Sequence, residues 1–391
     1  GERKQSTSGY MTVYLALVMG ILLSLILAVL TAVRISTIRM YIECCADMAL
    51  DSALAEYHRE MLDQVLNIFH IQPDYDLNIM RPKQTLSGIT TRVLTQLDEV
   101  LDDAQPDSVL VHGDTTTTFA ASVSAFYHQT KLGHVEAGLR TWNKYSPYPE
   151  EMNRQLTDIL SDLYFAPTTL SRDNLLKQAH PANQIYVTGN TAIDALKQTV
   201  SEQYHHHVLD QVQAGHRLIL LTMHRRENQG APMHAVFKAV RQVVEAHDDV
   251  EVIYPVHLSP AVQAVAHEEL DGMARIHLID PLDVVDFHNL AARSYFIMTD
   301  SGGVQEEAPS LNKPVLVLRD TTERPEGVTN GTLKLVGTDP LRVTTAMESL
   351  LTDENAYQRM AQAKNPYGDG RASERILAAI QATFDGGQKN G

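Results

Sequence analysis

From Asp107 onward the chain repeats one pattern: a short apolar run that ends in a polar or glycine-bearing turn, then an amphipathic stretch. Nine such runs are DSVLVHGD (107–114), LGHVEAGL (132–139), DLYFAP (162–167), QIYVTGN (184–190), RLILLTMH (217–224), VEVIYPVH (250–257), RIHLID (275–280), SYFIMTD (294–300) and KPVLVLRD (313–320). Runs this apolar read as strands covered on both faces. Amphipathic helices between them supply the crossovers that parallel strands need. The fold class predicted is therefore α/β, with doubly wound parallel sheets. Nine strands fit two Rossmann-like domains better than one. A boundary falls near Gly189 to Gln203, ahead of the His205-His206-His207 run, which reads as a solvated linker rather than a metal site.

Charge narrows the partners. The 391 residues carry 32 Lys and Arg against 48 Asp and Glu, a formal charge of −16. That argues against nucleic acid as a partner, because duplex binding needs a basic face. A phosphate ligand needs only a few donors in one cleft and stays open. The two cysteines, Cys44 and Cys45, are adjacent, so neither a disulfide framework nor a tetrahedral metal cage is expected. Residues 1–56 differ in character. Met11 to Val33 is uncharged and long enough to cross about 30 Å of hydrocarbon as a helix. It reads as a membrane anchor, with a signal peptide and a buried helix as the other readings.

In an open α/β sheet, ligands bind beyond the carboxyl ends of the strands. SYFIMTD runs into Ser301-Gly302-Gly303 and then a helix start, where free N–H groups and the positive end of the dipole suit a phosphate. The Walker lysine and the GxGxxG spacing are both missing, which disfavours NTP hydrolysis and NAD binding. Glu306 or Glu307, one turn further, suits ribose hydroxyls. RLILLTMH leads into His224-Arg225-Arg226-Glu227-Asn228, and KPVLVLRD into a second basic loop containing Arg319 and Arg324; both are phosphate grips in type. The earlier runs contribute acids: Asp114 after His112-Gly113, Glu136, and the pair Glu150-Glu151 behind Tyr148-Pro149. Acids facing a phosphate cleft suggest proton transfer beside a bound diphosphate.

Taken together, HGDTTTT, HVEAGLRT, PYPEEMNRQLTD, VTGNTAID, HRREN, DSGGVQEEAPSLNKPVLVLRDTTERPEG and NPYGDGRAS resemble the non-hydrolysing UDP-N-acetylglucosamine 2-epimerases, from about His58 to the C-terminus. The resemblance implies a GT-B-like fold: a first Rossmann-like domain over 57–190, a UDP-binding one over 191–372, and a C-terminal helix within 373–391 packing back on the first. It implies interconversion of UDP-N-acetylglucosamine and UDP-N-acetylmannosamine by anti elimination of UDP and re-addition, without nicotinamide or metal. By resemblance the catalytic group is Asp114, Glu136, Glu150 and His224. Substrate binding falls to Phe287, Ser301, Gly302, Gly303, Glu307 and Arg324. A second UDP-N-acetylglucosamine acting as activator would meet Glu60, Lys83, Glu150, Arg225 and His257. A homodimer in the cytoplasm is the expected form, with a tether if 11–33 enters a membrane.

One departure is plain. Family members open with a buried strand and a G-T-R-P-E loop whose cations reach the diphosphate. The only Arg-Pro pairs here are Arg81-Pro82 and Arg324-Pro325, and residues 1–56 carry the apolar stretch instead. On that basis the sequence predicts weak or absent activity. It keeps open a second reading, a membrane-anchored protein that binds UDP-sugars without turning them over, or a fusion or truncation.

Overall fold

The computed structural model describes residues 62–81, 84–322 and 324–387. The chain divides into two compact units, 1–63 with 78–85 and 64–77 with 86–391. Both sheets belong to the second unit. The apolar stretch 11–33, Cys44-Cys45, Glu60 and Lys83 lie outside the described residues. Among those described, no helix is long and apolar enough to cross a membrane.

All nine expected strands form, in two wholly parallel sheets. The first contains β1 (Ser108–His112), β2 (Lys131–Val135), β3 (Leu163–Ala166) and β4 (Ile185–Val187), paired in that order. Between them run α2 (Thr116–Tyr127), α3 (Glu150–Leu160) and α4 (Thr169–Lys177), and α1 (Leu86–Ala104) precedes β1 and packs on α2. The helix starts are written locally. Thr115 accepts from Thr118 N at 3.2 Å and Thr168 from Ser171 N at 3.1 Å, each satisfying one of the free donors of a first turn. α5 (Thr191–Thr199) then leads out of this sheet, capped by Asn190 Oδ1, which accepts from Ala192 N at 2.9 Å.

The second sheet has six strands in the order β10-β9-β8-β5-β6-β7. They are β5 (Arg217–Thr222), β6 (Val250–Pro255), β7 (Ile276–Ile279), β8 (Phe296–Thr299), β9 (Val315–Val317) and β10 (Leu333–Leu335). Its helices are α6 (Ala231–Ala246), α7 (Pro260–Leu270), α8 (Val284–Arg293), α9 (Gly302–Glu307), α10 (Pro325–Asn330), α11 (Pro340–Thr352) and α12 (Glu354–Ala361). Alternation along the strands divides the core. Ile219, Leu221, Val252, Tyr254, Phe296 and Met298 meet α6, α7 and α11 on one face. Leu218, Leu220, Ile253, Ile297, Val315 and Val317 meet α8 and α9 on the other. Burial on both faces is why these strands read as unbroken apolar runs. The last helix, α13 (Ala372–Gly387), sends Ile376 and Ala379 against Leu163 and Phe165 of the first sheet.

Two expectations need correction. β10 is not among the expected strands. It is three residues long with Lys334 at its exposed centre, so neither length nor alternation marks it. The run 132–139 is also not one strand. It leaves the sheet after Val135, because Glu136 and Gly138 take left-handed backbone, φ 69° and 84°. Gly138 is compulsory there, since an added Cβ would sit 2.3 Å from the Ser171 carbonyl oxygen.

Gly138→Ala should therefore destabilise the protein by about 2–5 kcal/mol, combining left-handed strain with overpacking. Gly272 has the same backbone sign, φ 78°, with nothing within 4 Å of an added Cβ, and Gly272→Ala should cost only about 1–2 kcal/mol. Urea unfolding of the two variants checks the difference.

Candidate active site

The acids of the first sheet are placed by a buried ion cluster. His134, on β2, is fully buried. Its Nδ1 lies 2.6 Å from Asp158 Oδ1 and its Nε2 lies 2.8 Å from the Gly113 carbonyl oxygen. Arg140 closes the cluster by donating from Nη2 to Asp158, and from Nη1 to the Leu139 carbonyl at 2.8 Å. Burial pushes the Asp158 carboxyl up, but His134 and Arg140 outweigh it and hold it below the usual carboxylate range. The effect is to pin the β1 and β2 turns side by side, with Gly113 at φ 72°.

Asp114 and Glu136 follow from those turns and converge on one cation. Arg154 of α3 ion-pairs with Asp114 through Nη2, and the same nitrogen is 3.7 Å from Glu136 Oε2. Asn153 Nδ2 donates to the Asp114 carbonyl at 2.9 Å. The Glu150-Glu151 pair separates in role. Glu151 is buried and accepts from Thr141 N at 2.9 Å and Trp142 N at 3.1 Å, so it anchors the loop ahead of α3. Glu150 is half-buried, and among the described residues its side chain has no hydrogen bond or ion pair.

The strand order of the second sheet reverses between β5 and β8, and the His224 loop and the Ser301 turn leave the ends of those two strands. Asp300, fully buried at the end of β8, accepts from His224 N at 3.0 Å, Arg225 N at 2.9 Å and Asn228 Nδ2 at 2.9 Å. One carboxylate thus folds the His224–Asn228 loop. The His224 ring stacks on His257 with centroids 5.4 Å apart and planes at 9°. Arg225 Nη1 and Arg319 Nε each lie 3.8 Å from Glu227 Oε1, which draws the two basic loops together.

Ser301, Gly302 and Gly303 open α9. Ser301 holds the N-cap position, but its side chain makes no cap bond. A Cβ on Gly302 would lie 2.7 Å from Arg324 Nη1, so the guanidinium rests on this turn. Arg324 Nε donates to Glu306 Oε1. Glu307 Oε2 is 3.4 Å from His288 Nε2, and His288 Nδ1 is 2.7 Å from Thr199 Oγ1. Phe287 packs half-buried against the core beneath.

Asn190 joins the two groups of residues. Its Nδ2 donates to Glu306 Oε2 and lies 3.4 Å from Glu136 Oε1. Burial raises Glu306 to about 7; Arg324 opposes that rise and Glu136 adds to it. A second tie runs from Thr168 Oγ1 to Glu326 Oε1 at 2.6 Å.

The structure thus gathers Asp114 and Glu136 at the first sheet, and His224, Ser301, Gly302, Gly303, Glu307 and Arg324 at the second. Arg225 and His257 stand beside His224. The sequence reading did not assign Arg154, Asn190, Asp158 or Asp300. Asp300 carried a usable signal, as a charged residue closing an apolar strand. Among the described residues, the grouping with metal-like spacing is His234, Glu268 and Glu269, with ligand atoms within 4.8 Å of one another. It lies on α6 and α7, and Lys238 Nζ already sits 3.4 Å from Glu269.

Asp158→Asn should lower stability by about 3–5 kcal/mol, because it leaves Arg140 buried without its counter-charge. In the unmodified protein this carboxyl titrates below its ordinary 3.8. Its contribution is present above that pH and is lost as pH falls through the lowered value. Urea unfolding between pH 3 and 7 should show the gap between the two proteins closing at the acid end.

The UDP-N-acetylglucosamine 2-epimerase family model matches residues 49–381. A Bacillus subtilis (strain 168) protein named UDP-N-acetylglucosamine 2-epimerase is 63% identical over 323 residues, covering 83% of this chain and 85% of that protein. The crystal structure of a putative UDP-N-acetylglucosamine 2-epimerase from Listeria monocytogenes superposes with TM-score 0.80 at 58% identity, covering 84% of this chain and 86% of that one. The Neisseria meningitidis enzyme bound to UDP-GlcNAc gives TM-score 0.77 at 47% identity, covering 83% and 89%.

Proposed function

The chain belongs to the UDP-N-acetylglucosamine 2-epimerase family, and on that footing we propose how its own residues interconvert UDP-N-acetylglucosamine and UDP-N-acetylmannosamine. The observation that carries the reading is the joining of two groups of residues. Two carboxylates, Asp114 and Glu136, share Arg154, and Asn190 ties Glu136 to the turn where Arg324 rests. One half of the site is suited to moving protons and the other to holding a diphosphate.

The C2 proton of the sugar is not next to a carbonyl, so removing it alone is difficult. Anti elimination avoids the problem. A carboxylate takes the C2 proton, the C–H pair becomes the C1–C2 double bond, and the C1–O pair leaves with UDP. UDP then adds back to the 2-acetamidoglucal as a proton returns to C2 from the other face. No net oxidation occurs, so the chemistry requires no hydride carrier. Asp114, Glu136 and Glu150 are the candidate proton-transfer groups. Half-buried and without a side-chain partner among the described residues, Glu150 is available to a ligand. His224 and Arg324 meet the charge that develops on the diphosphate. Ser301, Gly302 and Gly303 cradle it, Glu307 takes the ribose, and Phe287 lies near the base.

We assign 57–190 and 191–372 as the two Rossmann-like domains, with the C-terminal helix returning to the first in a GT-B-like arrangement. A homodimer in the cytoplasm is the working form we propose. Arg225 and His257, beside His224, support a regulatory second UDP-N-acetylglucosamine at the same mouth. No observation among the described residues favours the membrane-anchored binding protein, whose apolar stretch lies outside them.

Glu136→Gln and Asp114→Asn should each reduce turnover by ~10²-fold or more. Deuterium uptake at C2 from heavy water reads this directly, and full uptake in both variants would rule the carboxylates out of proton transfer. Glu307→Ala removes a charge-assisted hydrogen bond worth about 1.5–3 kcal/mol, a roughly 10- to 150-fold loss of UDP affinity by calorimetry. Unchanged affinity would remove Glu307 from the ribose.

A further inference from the structure

The proton-transfer carboxylate Glu136 hangs from the first sheet and the diphosphate cation Arg324 from the second, yet elimination needs them in one geometry. We propose that Glu306 is the positioning residue that sets it: one carboxylate oxygen holds Arg324 on the Ser301-Gly302-Gly303 turn, and the other holds Asn190 beside Glu136. This inference rests on the epimerase reading and extends it to a residue that need not touch substrate.

Glu306 is only 2% exposed and Asn190 6%. Arg324 Nε donates to Oε1 of Glu306 and Asn190 Nδ2 to Oε2, so each oxygen has its own donor. Asn190 also lies within reach of Glu136, at 3.4 Å from Oε1. Only an ionised carboxylate accepts at both oxygens. A protonated Glu306 or a glutamine would turn an N–H or O–H toward one of two donors, and that side of the bridge would open. Among the described residues, the titratable and charged groups around Glu306 are Glu136, Arg324 and Tyr367, with Arg154 behind Glu136 and Glu326 beside Tyr367. Tyr367 stays protonated, pushed up by burial, and donates to the Arg324 carbonyl oxygen at 3.2 Å. Glu306 is raised to about 7, so the bridge closes as pH rises through neutrality. A misplacement of about 1 Å between reacting groups costs up to ~10²-fold in rate, which is the scale of effect expected.

The test measures kcat, KM and C2 deuterium uptake with UDP-N-acetylglucosamine from pH 5.5 to 9. It compares the full-length protein with Glu306→Gln, Glu306→Asp, Asn190→Ser and the Gln/Ser double variant. Serine keeps an oxygen to cap α5 while removing the amide donors. In the wild type, kcat should rise with pH through about 7. Glu306→Gln and Asn190→Ser should each lower kcat by roughly 10- to 100-fold. KM should stay within about threefold, as expected when an interaction matters only in the transition state. Glu306→Gln should also lose the rise near 7, and Glu306→Asp should restore part of it. The double variant should be no worse than the poorer single, because both break one bridge. If Glu306→Gln does not fold, Asn190→Ser decides alone. Full kcat with an unchanged pH profile in the folded variants, or losses that simply multiply, would overturn the proposal while leaving the epimerase reading intact. A wild type that takes up no deuterium would overturn both.

Discussion

A carboxylate taken out of water must recover its hydration from donors inside the protein. Four of them organise the loops of this protein. Asp158 takes His134 and Arg140 and so fixes the turns that present Asp114 and Glu136. Glu151 takes two backbone N–H groups and anchors the loop before α3. Asp300 takes the donors of the His224 loop. Glu306 takes Arg324 and Asn190. In each case the stabilising interaction is also a positional one, because a buried charge tolerates little slack in its partners. Among the described residues, the Glu150 side chain keeps open valence for a ligand.

The sheets supply the frame on which those carboxylates act. Parallel strands send every chemistry-bearing loop to one edge. In the six-stranded sheet the strand order reverses between β5 and β8, so the loops after those two strands run to opposite sides. His224 leaves from one side of that reversal and Ser301 from the other. The four-stranded sheet has no such reversal among its described strands, and its loops need the ion cluster under His134 to bring them together. Electrostatics there does what topology does in the second sheet.

Much of this was legible beforehand. Nine apolar runs became nine strands, most plainly β3, β5, β6, β8 and β9, which are buried on both faces and cannot hide their composition. The strand-end rule pointed to His224, Asp114 and the Ser301 turn. What it missed was never local. β10 is too short to carry a pattern. Arg154 reads as an ordinary helix residue until α3 is laid across Asp114, 40 residues earlier. Of Glu306 and Glu307, which are adjacent, either would suit a ribose by composition. Burial separates them, placing Glu306 between Arg324 and Asn190 and leaving Glu307 beside His288.

By itself, then, the sequence determined the α/β class, nine of the strands, and the chemical kinds at the strand ends. Those depend on hydrophobic periodicity and on contacts within a few residues, which a linear reading can measure. Only the tertiary structure decided which acids are spent on anchoring and which remain available. That choice turns on desolvation and on donors brought from as far as 116 residues away, as in Asn190 with Glu306. No spacing along the chain records how dry a carboxylate becomes, and dryness is what commits Asp158, Asp300 and Glu306 to their partners.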